Sequence, residues 1–309
     1  MNVQSLHPLR RTRDFGQTVS DTIQFLKVHW KNLLALYLIF VVPFLLVATL
    51  LGASSFSNFF KIMGTDTGIK GVDNIFAIFS PQFTISLILY FISIVAYSTV
   101  VFLYMRLFEE RGGIAPGISE VGTLFLNRFL SNTGYMFIIF TGFILMAFLA
   151  VIPILGFLVF LFGIIYMVVS LSLLFPVNTI ESNPFPLSFS RMFYLIKNNW
   201  WYTFGMIMIL GLIYYFFSVS ISLVVNLIFG FGAINFLDTK SGFSSMTEKY
   251  FLVMGFSAIF QQIFYLVVHV GIGMHYFSLR EEKDGSGLED RLEQLGRGGG
   301  AHGHIEEQY

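Results

Sequence analysis

Six stretches of this chain, residues 33–52, 83–105, 135–152, 154–177, 201–229 and 251–277, contain no Asp, Glu, Lys or Arg. Each approaches or exceeds the roughly 20 helical residues needed to cross a hydrocarbon core of about 30 Å. A run that long has little to offer water, so the chain is constrained to a helical fold solvated largely by lipid. Charged residues make up only 12% of the sequence, which leaves too few to coat a soluble domain of 309 residues. A transmembrane barrel would show alternating segments of about ten residues, whereas these runs are continuous and longer. The expected fold class is therefore all-α, a polytopic membrane protein with six transmembrane helices. Pro153 alone separates the third run from the fourth.

One pattern occurs three times. A short amphipathic segment with a basic residue near its end leads into two apolar runs, and the chain then returns through polar residues. The landmarks are Phe25-Leu26-Lys27-Val28-His29-Trp30, Leu124-Phe125-Leu126-Asn127-Arg128-Phe129 and Leu195-Ile196-Lys197-Asn198-Asn199-Trp200. The six spans thus read as three pseudo-repeated hairpins, each preceded by a cytoplasmic amphipathic interfacial helix, over about 14–111, 118–181 and 186–283. A basic segment, 1–13, precedes this 14–283 membrane domain, and a polar, Gly-rich tail, 284–309, follows it.

In the first unit Phe15, Val19, Ile23, Leu26 and Trp30 fall at helical spacing, largely away from Asp14, Gln17, Asp21 and Gln24. Ile118, Val121, Phe125 and Phe129 form the second such face, and Phe189, Met192, Phe193 and Ile196 the third. Trp30, Trp200 and Trp201 stand where the first and third amphipathic segments meet their spans, and tryptophan favours the headgroup level, so they read as interfacial anchors.

With six spans the termini share a side, and that side holds fourteen of the eighteen Lys and Arg, leaving Lys61, Lys70, Lys240 and Lys249 opposite. The retention of basic loops in the cytoplasm places both termini there. Arg10, Arg11 and Arg13 fit either a topology signal or contact with anionic headgroups. No cleavable signal peptide is recognised, so the first span is expected to be retained. Net charge is zero, which gives no footprint for nucleic acid. Membrane lipids are the expected surroundings and another membrane or envelope protein the expected partner. Cysteine is absent, so neither a disulfide frame nor a thiolate metal site is possible.

The ends of the first and third units also match, Tyr104 through Arg111 against Tyr276 through Lys283. The same register sets Tyr90, Tyr97 and Tyr104 against Gln262, His269 and Tyr276, each series at seven-residue intervals along one helical face. Gln262, His269, Tyr276, Tyr90 and Tyr97 therefore form a candidate polar stripe between the second and sixth spans. Two readings stay open for it: interhelical packing, or a polar path or ligand groove. His269 is a neutral hydrogen-bonded residue or a proton relay. His269 and His275 project about 240° apart on a helix and do not chelate one metal.

No nucleophile with its base, paired carboxylates, histidine-rich cluster or phosphate loop lies in the spans, so catalytic residues, metal ligands and cofactors are all expected to be absent. The connections 53–82 and 233–250 are read as an external partner surface. Leu288, Leu292 and Leu295 are read as a short helix in an otherwise disordered tail.

The passage Leu187-Ser188-Phe189-Ser190-Arg191-Met192-Phe193 through Lys197-Asn198-Asn199-Trp200-Trp201, after Pro176-Val177 and Glu181-Ser182, resembles the polytopic membrane region fused to some glycerophosphodiester phosphodiesterases. It is similar also to stand-alone six-span bacterial proteins of uncertain role. The catalytic barrel of those enzymes has no counterpart in these residues. The resemblance implies a multi-pass protein of the bacterial inner membrane, accessory to an envelope or lipid process. The expected function is that of a non-enzymatic scaffold or accessory subunit. The alternative is a transporter or lipid-handling protein using the stripe.

Overall fold

The computed structural model describes residues 9–63, 80–149, 152, 155–230 and 243–285, and among them all regular structure is helical. Most of the connection 53–82, part of 233–250 and nearly all of the tail lie outside these residues. The helices are α1 (Phe15–Phe40), α2 (Val42–Met63), α3 (Pro81–Glu110), α4 (Ile118–Leu149) and α5 (Leu155–Leu171). They continue with α6 (Leu174–Pro176, running into a π turn, Val177–Glu181), α7 (Phe185–Ile196), α8 (Trp200–Val225), α9 (Phe243–Phe264) and α10 (Leu266–Asp284). Five helical stretches are long and apolar enough to cross a membrane, and the bent pair α1–α2 makes a sixth if it counts as one span.

Local chemistry sets the helix ends. Asp14 caps α1 by accepting the Gln17 N–H at 2.7 Å, and the Gln17 side chain accepts the Asp14 N–H at 3.3 Å, a reciprocal capping box. Pro43 cannot donate to the preceding turn, and α1 and α2 meet at Val41 with a bend of 47°. Ser80 caps α3, with Pro81 in the first turn. At the other end Gly112 and Gly113 take positive φ, which lets the Gly113 N–H return to Phe108 O at 2.9 Å and close the helix.

Of the three segments expected as interfacial helices, among the described residues only the third, α7, is a helix separate from the apolar run that follows. Asn198 at φ 70° divides α7 from α8, whereas α1 and α4 each run unbroken from the amphipathic segment into the apolar run. No proline stands between Trp30 and Leu33 or between Phe129 and Tyr135, and the hydrogen-bond ladder of α4 continues through Ser131, Asn132, Thr133 and Gly134.

In the first unit the inward face is rotated by one residue from the apolar one. Thr18, Thr22, Phe25 and His29 are buried, while Ile23 is 40% and Trp30 51% exposed. Thr18 and Thr22 bond back to carbonyls of their own helix, and the His29 ring meets Tyr104 Oη at 2.9 Å. Polar groups turn inward here because protein supplies their partners and hydrocarbon does not. In the second and third units the apolar faces do pack inward: Val121, Phe125, Met192 and Ile196 are buried. Much of the outer surface of α4 and α8 is apolar, as at Phe137, Phe148 and Phe216.

Small residues set the closest approaches. Gly255 of α9 faces Thr49 of α2, Gly271 faces Leu210 of α8, and Gly273 faces Met105 of α3, each with no room for a Cβ as the neighbours stand. On its other side α2 accepts the Ser86 hydroxyl of α3 at Ala48 O, 2.7 Å away. Gly271 and Gly273 are thus packing residues.

Candidate functional site

The structure brings together Gln262, Tyr97 and His269. The Tyr97 hydroxyl donates to Gln262 O at 2.9 Å, and the Tyr37 hydroxyl donates to Ile259 O at 2.7 Å. Both carbonyls lie in the last turn of α9, just before Tyr265 separates it from α10, so the two phenols satisfy backbone where the ladder is disturbed. His269 Nδ1 lies 3.2 Å from Tyr265 O, its Nε2 lies 2.9 Å from Ser98 Oγ, and the Ser98 hydroxyl is also within reach of Ile94 O at 3.1 Å. The Gln262 side chain is buried, and its Oε1 finds no donor among the described residues.

The rest of the stripe is elsewhere. Tyr276 is buried and donates to Glu181 Oε1 at 2.8 Å, at the charged ends of the helices. Tyr90 is 42% exposed, beside Phe91. Of the tryptophans, Trp201 is exposed like Trp30, while half-buried Trp200 stacks between Tyr166 and Phe204. His275 Nε2 meets Thr203 Oγ1 at 2.9 Å on a different face from His269.

A second buried polar group lies outside the predicted spans. Asn132 donates to Thr99 Oγ1 at 2.8 Å and Thr179 Oγ1 at 3.0 Å, and accepts from Asn178 Nδ2 at 2.6 Å, tying α3, α4 and the π turn together. Asn132 and Asn178 fall just beyond apolar runs, where the sequence suggests hydrated turns. The helices continue past those points and bury them.

The largest assembly of charge sits where three candidate spans end. α3 contributes Arg106, Glu109 and Glu110; the π turn contributes Ile180 and Glu181; α10 contributes Arg280. Arg10, Asn183 and Arg191 complete the wall of a cavity of about 400 Å³. Arg106 Nε donates to Glu110 Oε1 at 2.7 Å and its Nη1 reaches Thr179 O at 3.3 Å. Arg191 Nε donates to Glu181 Oε1 at 3.1 Å, and both of its Nη groups bond Asp284. Burial acts to lower the Arg191 pKa, but the bonds and charges of Asp284 and Glu181 outweigh it and hold it above its ordinary value.

The basic N-terminal residues meet carboxylates within the protein, Arg10 only as an ion pair with Glu109. Arg11 and Arg13 both pair with Asp21, and Arg13 Nη1 also donates to Leu9 O at 2.8 Å. Burial lowers the Arg13 pKa, with Asp21 acting against it. The Leu9 N–H donates to Glu109 Oε2 at 2.9 Å and the Arg13 N–H to Ser278 Oγ at 2.8 Å, so residues 9–14 lie across the ends of α3 and α10.

Among the described residues no group of three or more His, Asp or Glu is placed to hold a metal ion. No protein-family model, curated protein or solved structure matches this chain.

Proposed function

We propose that this chain is a multi-pass protein of the bacterial inner membrane, with both termini cytoplasmic. In this reading it acts as a non-catalytic scaffold or accessory subunit in an envelope or lipid-related process. The observation that carries the reading is how the polar side chains between its helices are engaged. Tyr37, Tyr97, His269, His275 and Asn132 each meet a protein partner on another helix. A translocation path presents such groups to its cargo, and here they hold helix to helix instead. The recurrence of the amphipathic-to-apolar pattern and the likeness to the membrane region fused to some phosphodiesterases support the same placement. Mild solubilisation from native membranes followed by mass spectrometry should find a stoichiometric protein partner. Turnover or specific flux by the purified chain alone in proteoliposomes overturns the reading.

One observation favours the alternative of a transporter or lipid-handling protein: the buried Gln262 Oε1, without a donor, on the same stripe as His269. On that reading His269→Ala abolishes uptake or lipid binding while the protein still folds, and unchanged transport in the variant counts against it.

A further inference from the structure

We propose that the cavity at the ends of α3, the π turn and α10 is a binding site for a phosphate group, carried by an anionic lipid headgroup or free in solution. The inference goes beyond the scaffold reading and does not depend on it. Its first support is charge. The wall holds four guanidinium groups, Arg10, Arg106, Arg191 and Arg280, against three carboxylates, Glu109, Glu110 and Glu181, and Asp284 outside the wall pairs with Arg191 and Arg280, so arginine dominates the lining of the cavity itself.

The second support is which guanidiniums are already committed. Arg106 and Arg191 are fixed by hydrogen bonds to Glu110, Glu181 and Asp284. Arg10 and Arg280 meet carboxylates only as ion pairs, Arg10 Nε to Glu109 at 3.1 Å and Arg280 Nε to Asp284 at 3.8 Å. Neither Nε finds a hydrogen-bond acceptor among the described residues, although both atoms are buried. These two guanidiniums are thus less committed than those of Arg106 and Arg191, and a phosphate is the anion that the planar fork of arginine fits best.

The third support is position. The cavity lies where three candidate spans end on the arginine-rich side, and its volume falls within the roughly 300–1,000 Å³ of small-ligand sites. Arg191 reaches it from α7, whose Leu187 and Tyr194 are exposed beside it for contact with the lipid surface.

The test uses the full chain in nanodiscs of zwitterionic phosphatidylcholine, with and without phosphatidylglycerol, read by native mass spectrometry of retained lipid and by thermal unfolding. A third arm adds inorganic phosphate to phosphatidylcholine discs. Retained phosphatidylglycerol with a raised unfolding temperature supports the site and names the lipid as its source. The same rise with inorganic phosphate, which then displaces phosphatidylglycerol, supports the site with free phosphate as its source. Neither effect in the wild-type protein overturns the proposal, whatever the variants do.

Arg10→Gln and Arg280→Gln should each weaken binding about tenfold or more, the order expected on losing one charge-assisted contact. Arg111→Gln, whose side chain is paired with Glu120 away from the cavity, should leave binding intact. If Arg280→Gln fails to fold, Arg10→Lys serves: it keeps the charge, loses the fork and should bind more weakly than the wild type. Wild-type binding by folded Arg10→Gln and Arg280→Gln would mean the anion is held elsewhere, and the proposal fails.

Discussion

Asn132 engages three polar side chains with no surface exposed, so its amide acts as the joint between α3, α4 and the π turn. Asn132→Ala should cost about 1–2 kcal/mol, since single interhelical bonds in membranes average about 0.6 kcal/mol and this change strands several partners at once. Unfolding in mixed detergent micelles measures it, and a loss below about 0.3 kcal/mol would mean that the network is not tied as described. The tyrosines of the stripe make a matched pair. Tyr97→Phe removes the donor to Gln262 O and should destabilise by about 0.5–1.5 kcal/mol. Tyr90→Phe removes a hydroxyl from an exposed ring and should fall within about 0.5 kcal/mol of wild type. Equal effects from the two would contradict the placement of Tyr97 inside and Tyr90 outside.

At the scale of elements, the α2–α9 contact rests on Gly255 meeting Thr49. Gly255→Val forces the two helices apart and should cost about 1–3 kcal/mol by overpacking. Gly142 of α4 has open space where a Cβ would stand, so Gly142→Ala should be neutral or stabilise by up to about 1 kcal/mol through helix propensity. Comparing the two melting temperatures checks this; a harmless Gly255→Val would show that α2 and α9 are not in close contact.

Helix positions were legible because a charge-free run of about 20 residues has few alternatives to a helix in lipid. Helix ends and faces were less so. Ser131, Asn132, Thr133 and Gly134 after Phe129 favour a turn, yet α4 runs through them because Asn132 finds its partners on other helices, and α1 runs unbroken past Trp30. The apolar stripe of α1, read as an interfacial face, does not give the inward side, because with hydrocarbon as solvent an apolar face is stable on either side, and the demands of Thr18, Thr22 and His29 decide the rotation. The charged cavity was hidden for another reason. Arg10, Arg106, Arg191 and Arg280 come from four distant segments, and the basic bias that fixes topology already accounts for each of them singly. The i,i+4 pairings of Arg106 with Glu110 and of Arg280 with Asp284 were local enough to be read from the sequence.

For the whole molecule, the open structural choice is whether the bent pair α1–α2 crosses the membrane as one span or turns back, and the absence of cysteine makes it directly testable. Gln82 begins α3 and Ser119 follows its far end, and both are exposed, so a single cysteine at either reports one side of the bundle. If α3 spans, a membrane-impermeant maleimide added to cells with a permeabilised outer envelope labels Gln82→Cys, and Ser119→Cys reacts only once the inner membrane is opened. Exposed Thr12 then decides the pair. Should α1–α2 cross, Thr12→Cys behaves like Ser119→Cys, giving six spans and a cytoplasmic N-terminus. Should the pair turn back at the 47° bend, Thr12→Cys labels with Gln82→Cys. The contacts favour crossing. The Leu9 N–H is held by Glu109 and the Arg13 N–H by Ser278, both at the basic ends of α3 and α10, while Ser86, near the start of α3, bonds Ala48 of α2. Residues 9–14 and the turn of α2 around Ala48 thus lie toward opposite ends of α3, a helix of 30 residues and about 45 Å, which is more than a bilayer core requires.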